Sequence, residues 1–197
     1  MMKPLILPMM MYGKFRTTRV KKDNEGNTIY KRNPDGSYKL DKHGRKIPEK
    51  EKVWIYHREE DNDPGVYPSV NHIYVINMKH GKKRLSAPAE KLKEKWEVIT
   101  KEWMEENNWK TTSKEKIVIE VTPYFPNDNI RRDSNNAFKL MMDAFNGLIY
   151  DDDYYGLPRV MDFAKVQDGE SPYFEVYIYK KDDEYEILQQ RIRQTIT

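Results

Sequence analysis

Apolar residues are scarce in this chain and fall into a few patterned stretches, which limits the folds open to it. Between residues 87 and 108, Leu92, Trp96, Ile99 and Trp103 recur at spacings of four, three and four, the period of a helix with one buried stripe. Ser86 can cap that helix, Pro88 falls in its first turn and Glu90 follows. Ile117–Tyr124 then alternates Ile117, Ile119 and Val121 against Val118, Glu120 and Thr122, as a sheet strand does. A second helix is predicted over Asn135–Asn146, capped by Ser134 or Asp133 and stopped by Gly147. Its buried face is Phe138, Met141, Met142 and Phe145, and its polar row is Asn135, Lys139 and Asp143. Further strands are expected at Lys3–Leu7, Val53–Arg58, Arg159–Val166 and Tyr173–Tyr179, with a loop at 67–73 running into another. Asp183–Ile196 reads as an amphipathic helix through Tyr185, Leu188 and Ile192. Interleaved helices and strands predict an α/β (α+β) fold with one mixed sheet flanked by helices.

At 197 residues the chain is read as one domain, 1–197, with a basic hairpin insertion at 9–58 and a C-terminal helix at 182–197. The insertion is punctuated by Asn24-Glu25-Gly26-Asn27, Asn33-Pro34-Asp35-Gly36 and Lys42-His43-Gly44, turn signals with short alternating pieces between them. A polar, poorly ordered loop is the competing reading. Residues 1–58 carry 15 Lys/Arg against 6 Asp/Glu, while residues 131–197 carry 9 against 13. A basic arm on a mildly acidic body suits a polyanionic partner. The lack of cysteine excludes disulfides, zinc–thiolate sites and thiol nucleophiles. No apolar run reaches the ~18 residues of a membrane span, and Pro4 and Pro8 interrupt the apolar start with no cleavage site after it. A cytoplasmic location away from membranes is expected.

Chemistry-bearing residues are densest from Asn129 to Asp153. Arg131, Arg132, Asp133, Ser134, Asn135, Asn136 and Lys139 are followed by Asp143 and then by Asp151, Asp152 and Asp153. Three consecutive carboxylates repel one another unless a cation sits among them, and hard oxygen donors suit Mg²⁺ or Mn²⁺. A solvated acidic turn is the bland alternative. The neighbouring cations are what a site for metal and phosphate together requires.

Arg132-Asp133-Ser134-Asn135-Asn136, Lys139, Asp143-Ala144, Asn146-Gly147 and Tyr150-Asp151-Asp152-Asp153 resemble the signature of RusA-type Holliday-junction resolvases. That signature runs Arg-Asp-x-Asp-Asn-x-x-Lys, with an Asp-Ala pair one turn on and an Asp-Asp after the helix. Pro68-Ser69-Val70-Asn71-His72-Ile73-Tyr74 is similar to the family's Pro-Ser-x-Asn loop, and Lys82–Ala87 lies where the family has a basic turn before a Ser-initiated helix. The likeness covers residues 66–180, and the basic insertion has no counterpart in it. It implies a homodimeric, Mg²⁺- or Mn²⁺-dependent endonuclease of recombination and repair that cuts four-way DNA junctions, of a kind frequent in phages. Asp133 and Asp153, or Asp152 if the register slips by one, would hold metal with Asn135. Lys139 would stabilise phosphate charge as a catalytic residue alongside Asp133 and Asp153. Arg131, Arg132, Asn136, Asn71, Lys82, Lys83 and Arg84 would contact DNA. Asn135 stands where the family has an aspartate, and an amide brings neither negative charge nor a base. A non-cleaving junction binder of the same fold is therefore the runner-up, and an interaction protein that docks its ribbon on a protein partner is the third reading.

Overall fold

A computed structural model describes residues 2–76 and 81–196. In chain order these residues form β1 (Leu5–Pro8), β2 (Gly13–Val20), β3 (Lys50–His57), β4 (Tyr74–Ile76), β5 (Lys83–Leu85), α1 (Ala87–Glu106), β6 (Ile117–Phe125), α2 (Phe138–Phe145), β7 (Gly156–Val160), β8 (Ala164–Lys165), β9 (Tyr173–Lys180) and α3 (Glu184–Ile196). The main sheet runs β1-β9-β6-β7, with β8 also paired to β6. β1, β9 and β6 are antiparallel, whereas β7 and β8 lie parallel to β6. The chain thus leaves β6, crosses through α2 and returns parallel, giving the mixed sheet that the alternating pattern predicts.

One sheet face carries Leu5 and Leu7, Ile119 and Val121, and Phe174, Val176 and Ile178, all buried. α1 covers it: the Trp96 ring meets Phe174 edge-on at 5.9 Å, and its Nε1 donates to the Pro8 carbonyl at 2.8 Å. Trp103 likewise donates to Lys3 at 2.7 Å, so both tryptophans pack rather than stack on a ligand. The stripe is rotated slightly from the predicted one, with Thr100 buried and Ile99 at its margin. In α2 the core residues are Leu140, Met141, Met142, Ala144 and Phe145, with Phe138 only half-buried.

The other face of β6 corrects the expectation for α3. Glu120 is 3% exposed, accepts from the Tyr179 hydroxyl at 2.6 Å and pairs with Arg191 of α3 at 2.7 Å. Arg159 of β7 and Lys181 both reach Glu184 at the helix start. The predicted apolar face points outward instead, with Tyr185, Leu188 and Ile192 at 74%, 44% and 53% exposure. A buried carboxylate must be paired, and that need turns the Arg191 side of α3 inward. Thr197 lies outside the described residues. Lys83 and Arg84, expected in a turn, belong to β5 and pair with β4.

Gly13–His57 forms a second compact unit. The insertion is therefore shorter than 9–58: Met9, Met10 and Met11 are buried in the main unit, where Met11 exchanges backbone bonds with Val66 at 2.9 Å. Within the second unit β2 and β3 pair from Gly13↔His57 to Val20↔Lys50. Beyond them come three turns of one kind, in which Asp23, Asn33 and Asp41 accept from Gly26, Gly36 and Gly44 at 3.1, 3.0 and 3.0 Å. Those glycines have φ of 87°, 86° and 76°, the left-handed conformation that makes Asp/Asn-x-x-Gly recur here. Tyr30 and Tyr38 meet edge-on at 6.0 Å, and Lys46 and Arg32 lie 4.0 and 4.4 Å from the Tyr38 ring centroid.

Candidate active site

Two connections flank α2 and carry most of the side chains singled out above. The first, residues 126–137, leaves β6 and is braced from within. Arg132 donates through both terminal nitrogens to Asp128, each at 2.7 Å, and its side chain keeps only 7% exposure. That guanidinium holds the Asp128 carboxyl below the usual carboxylate range against the opposing effect of desolvation. Arg132 is thus a brace of the loop and not an open phosphate contact, contrary to its predicted role. The buried Tyr67 donates its hydroxyl to the Asp133 carbonyl at 3.0 Å, and burial pushes that phenol's pKa up. With its backbone pinned, Asp133 presents an exposed carboxylate that accepts from the Asn136 amide at 3.1 Å.

This pinning delays the helix. Asn136 and Phe138 donate to the carbonyls of Asp133 and Asn135 at 3.2 and 3.1 Å in tight turns, and α2 starts only at Phe138 with Ala137 as its uncapped N-terminus. The predicted start at Asn135, and capping by Ser134 or Asp133, are therefore corrected. Asn135 is exposed in the lead-in turn and does not belong to a helical row with Lys139 and Asp143.

Lys139, in the first turn of α2, donates to Asp143 at 2.7 Å and lies 3.9 Å from Asp153. The Asp143 hydrogen bond is the main reason that its ammonium is pushed above the ordinary lysine range; Tyr74 of β4 and Asp153 also lie within electrostatic reach. Asp153 arrives from the second connection. There Gly147, at φ 77°, donates to the Tyr150 carbonyl at 2.8 Å, while the buried Tyr150 donates its hydroxyl to the Met142 carbonyl at 3.1 Å. The three aspartates that follow separate at once. Asp151 accepts from the Ser113 hydroxyl at 2.7 Å and the Lys114 amide at 3.3 Å, which hold its pKa low. Asp152 caps a 3₁₀ turn by accepting from the Tyr154 amide at 2.9 Å. Only Asp153 faces Lys139. Separate partners thus relieve the repulsion for which the sequence suggested a cation.

The predicted DNA contacts fall on several segments of the chain. Arg131 is exposed, as are Lys82, Lys83 and Arg84 before α1. Asn71 is exposed in a turn closed by the His72 amide on the Ser69 carbonyl at 2.8 Å, and Ser86 ties that turn to the start of α1 by donating to the His72 carbonyl at 3.3 Å. Tyr67, Tyr74 and the Asp128 partner of Arg132 were not among the expected site residues. The tyrosines flank the Pro68–His72 segment, but nothing in the sequence signals their approach to residues 66 and 65 positions away. The four-residue spacing of Asp128 and Arg132 was the one signal available for that pair.

Among the described residues no three Asp, Glu or His side chains converge closely enough to grip an ion alone. Mg²⁺ commonly takes one or two carboxylates, its own waters and substrate phosphate, and the exposed oxygen donors Asp133, Asn135 and Asp153 fit that chemistry. Asp152 would offer only what its capping role leaves. Among the described residues no helix is long and apolar enough to cross a membrane. No protein-family model matches the chain, and no curated protein is significantly similar to it.

Proposed function

We propose that the chain is a Mg²⁺- or Mn²⁺-dependent endodeoxyribonuclease that acts on four-way DNA junctions as a cytoplasmic homodimer, the activity that its RusA-type motif implies. The observation that carries the reading is Lys139, held between Asp143 and Asp153 on a helix whose lead-in turn carries Asp133. Asp133, Asn135 and Asp153 would hold the metal, which when bound lowers the pKa of an attacking water and offsets phosphate charge. Lys139 is protonated at neutral pH as any lysine is, and its hydrogen bond to Asp143 favours the charged form further. It therefore offers the scissile phosphate a fixed positive charge. Tyr67 and Arg132 are positioning residues, holding the Asp133 backbone and its loop. Arg131, Asn71, Asn136, Lys82, Lys83 and Arg84 would meet junction phosphates, giving register and affinity rather than sequence choice.

A non-cleaving junction binder is the second reading, favoured by one observation: residue 135 is a neutral amide within the predicted metal set. Junction cleavage in Mg²⁺ and Mn²⁺, beside a gel shift in chelator, separates the two. The parent protein should cut with metal and bind without it. Asp133→Asn should lower the rate by ~10²-fold or more and leave junction affinity equal or tighter, since the lost charge repels phosphate. A variant that keeps more than about a tenth of the parent rate removes Asp133 from the metal site. Binding without any cleavage by the parent selects the second reading.

A further inference from the structure

Residues that alternate along an antiparallel ribbon share a face. On β2 and β3 the cross-strand pairs Lys14↔Tyr56, Arg16↔Trp54, Thr18↔Lys52 and Val20↔Lys50 place these eight side chains together, and all eight are exposed. The face combines four cations with two large aromatics, Trp54 at 58% and Tyr56 at 59% exposure. Glu51, the one acid of the two strands, lies on the opposite face and pairs with Arg19 at 2.7 Å. The Lys14 ammonium lies over the Trp54 ring, 5.1 Å from its centroid, so a mobile cation is held at the ring face. Trp96 and Trp103, by contrast, are buried in the core.

We propose that this face is a binding site for unpaired nucleotides, with bases stacking on Trp54 and Tyr56 and phosphates meeting Lys14, Arg16, Lys50 and Lys52. Cations without an acid select a polyanion, and exposed aromatic planes select one that carries π-faces. Trp54 and Tyr56 are two residues apart on one strand, about 6.8 Å, which is twice the ~3.4 Å rise of stacked bases. A duplex keeps its base faces covered by their neighbours, so only an unpaired strand can seat bases on rings with that interval. The site goes beyond the nuclease proposal and does not depend on it.

The test uses the full chain in chelator, so that loss of cleavage and loss of this site stay distinguishable. Tryptophan fluorescence is followed while oligothymidylate of about 16 nucleotides, oligouridylate of that length, a matching duplex and polyglutamate of equal charge are titrated in. The single strands should quench the signal and bind more tightly than duplex or polyglutamate; preference between the two strands identifies DNA or RNA as the source. Trp54→Ala should weaken single-strand binding by about 5- to 100-fold, while Trp54→Phe retains most affinity and loses the quenching. Lys50→Gln with Lys52→Gln should reduce the slope of log K against log salt by roughly 1.4. Unchanged affinity in Trp54→Ala, or duplex or polyglutamate binding as tight as the single strand, overturns the proposal.

Discussion

Asn135 decides how strongly the proposed site can hold a metal. It is exposed in the turn that carries Asp133 toward α2, and its side chain offers one neutral oxygen. Asn135→Asp should tighten Mg²⁺ binding, since ligand charge matters most for a hard cation. It should also raise the cleavage rate, most clearly where Mg²⁺ is scarce. The added acid also raises the pKa values of nearby carboxylates when metal is absent and repels phosphate, so junction binding in chelator should weaken. Titrating rate against Mg²⁺ and affinity in chelator reads both effects. If neither moves, residue 135 lies outside the metal shell, and the metal-binding acids must be sought among Asp128, Asp143 and Asp151. Of these, Asp128 and Asp151 already hold structural partners in Arg132, Ser113 and Lys114.

The loop before α2 shows what element-scale reading found and what it missed. Strand β6, the C-terminal end of α2 at Gly147 and the body of α1 follow directly from apolar period and turn residues. The N-terminal end of α2 does not, because Tyr67 and Asn136 engage Asp133 from positions that periodicity ignores. α3 shows the same limit: its most apolar stripe faces out because buried Glu120 recruits Arg191. The Arg132–Asp128 brace gives a measurable consequence. Arg132→Gln should lower stability by about 1–3 kcal/mol at neutral pH, as expected for a charged hydrogen bond. Asp128 has a folded pKa below its unfolded value of about 3.9, so its contribution is complete above that value and is lost as pH falls through the folded one. Urea midpoints of parent and variant should therefore stay apart from neutral pH down to about 4 and converge in stronger acid. A gap that persists unchanged in acid would mean that Arg132 acts through packing alone.

Across the whole molecule, charge and fold divide along one boundary. The segment from Lys14 to Tyr56 holds 13 Lys/Arg and 6 Asp/Glu and belongs to its own compact unit. Its existence was legible in the turn residues and charge, whereas its limits were not: Met9–Met11 look like loop in sequence but are buried in the main unit. Gly13 and His57 are cross-strand partners, whose Cα atoms lie about 5 Å apart in any antiparallel ladder. A single glycine can therefore replace residues 14–56 without pulling on either flank. The main sheet, α1, α2 and the Lys139 cluster contain no residue of that segment, so the shortened chain should keep a cooperative thermal transition and any cleavage activity at low salt. DNA binding should weaken and lose salt dependence. If the four cations of the β2–β3 face each meet a phosphate, the slope of log K against log salt falls by about 2.8 for single strands and about 3.6 for duplex. Binding measured in chelator from roughly 50 to 200 mM salt reads that slope directly. An unchanged slope would show that the ribbon's charge serves no nucleic acid and would leave a protein partner as its occupant.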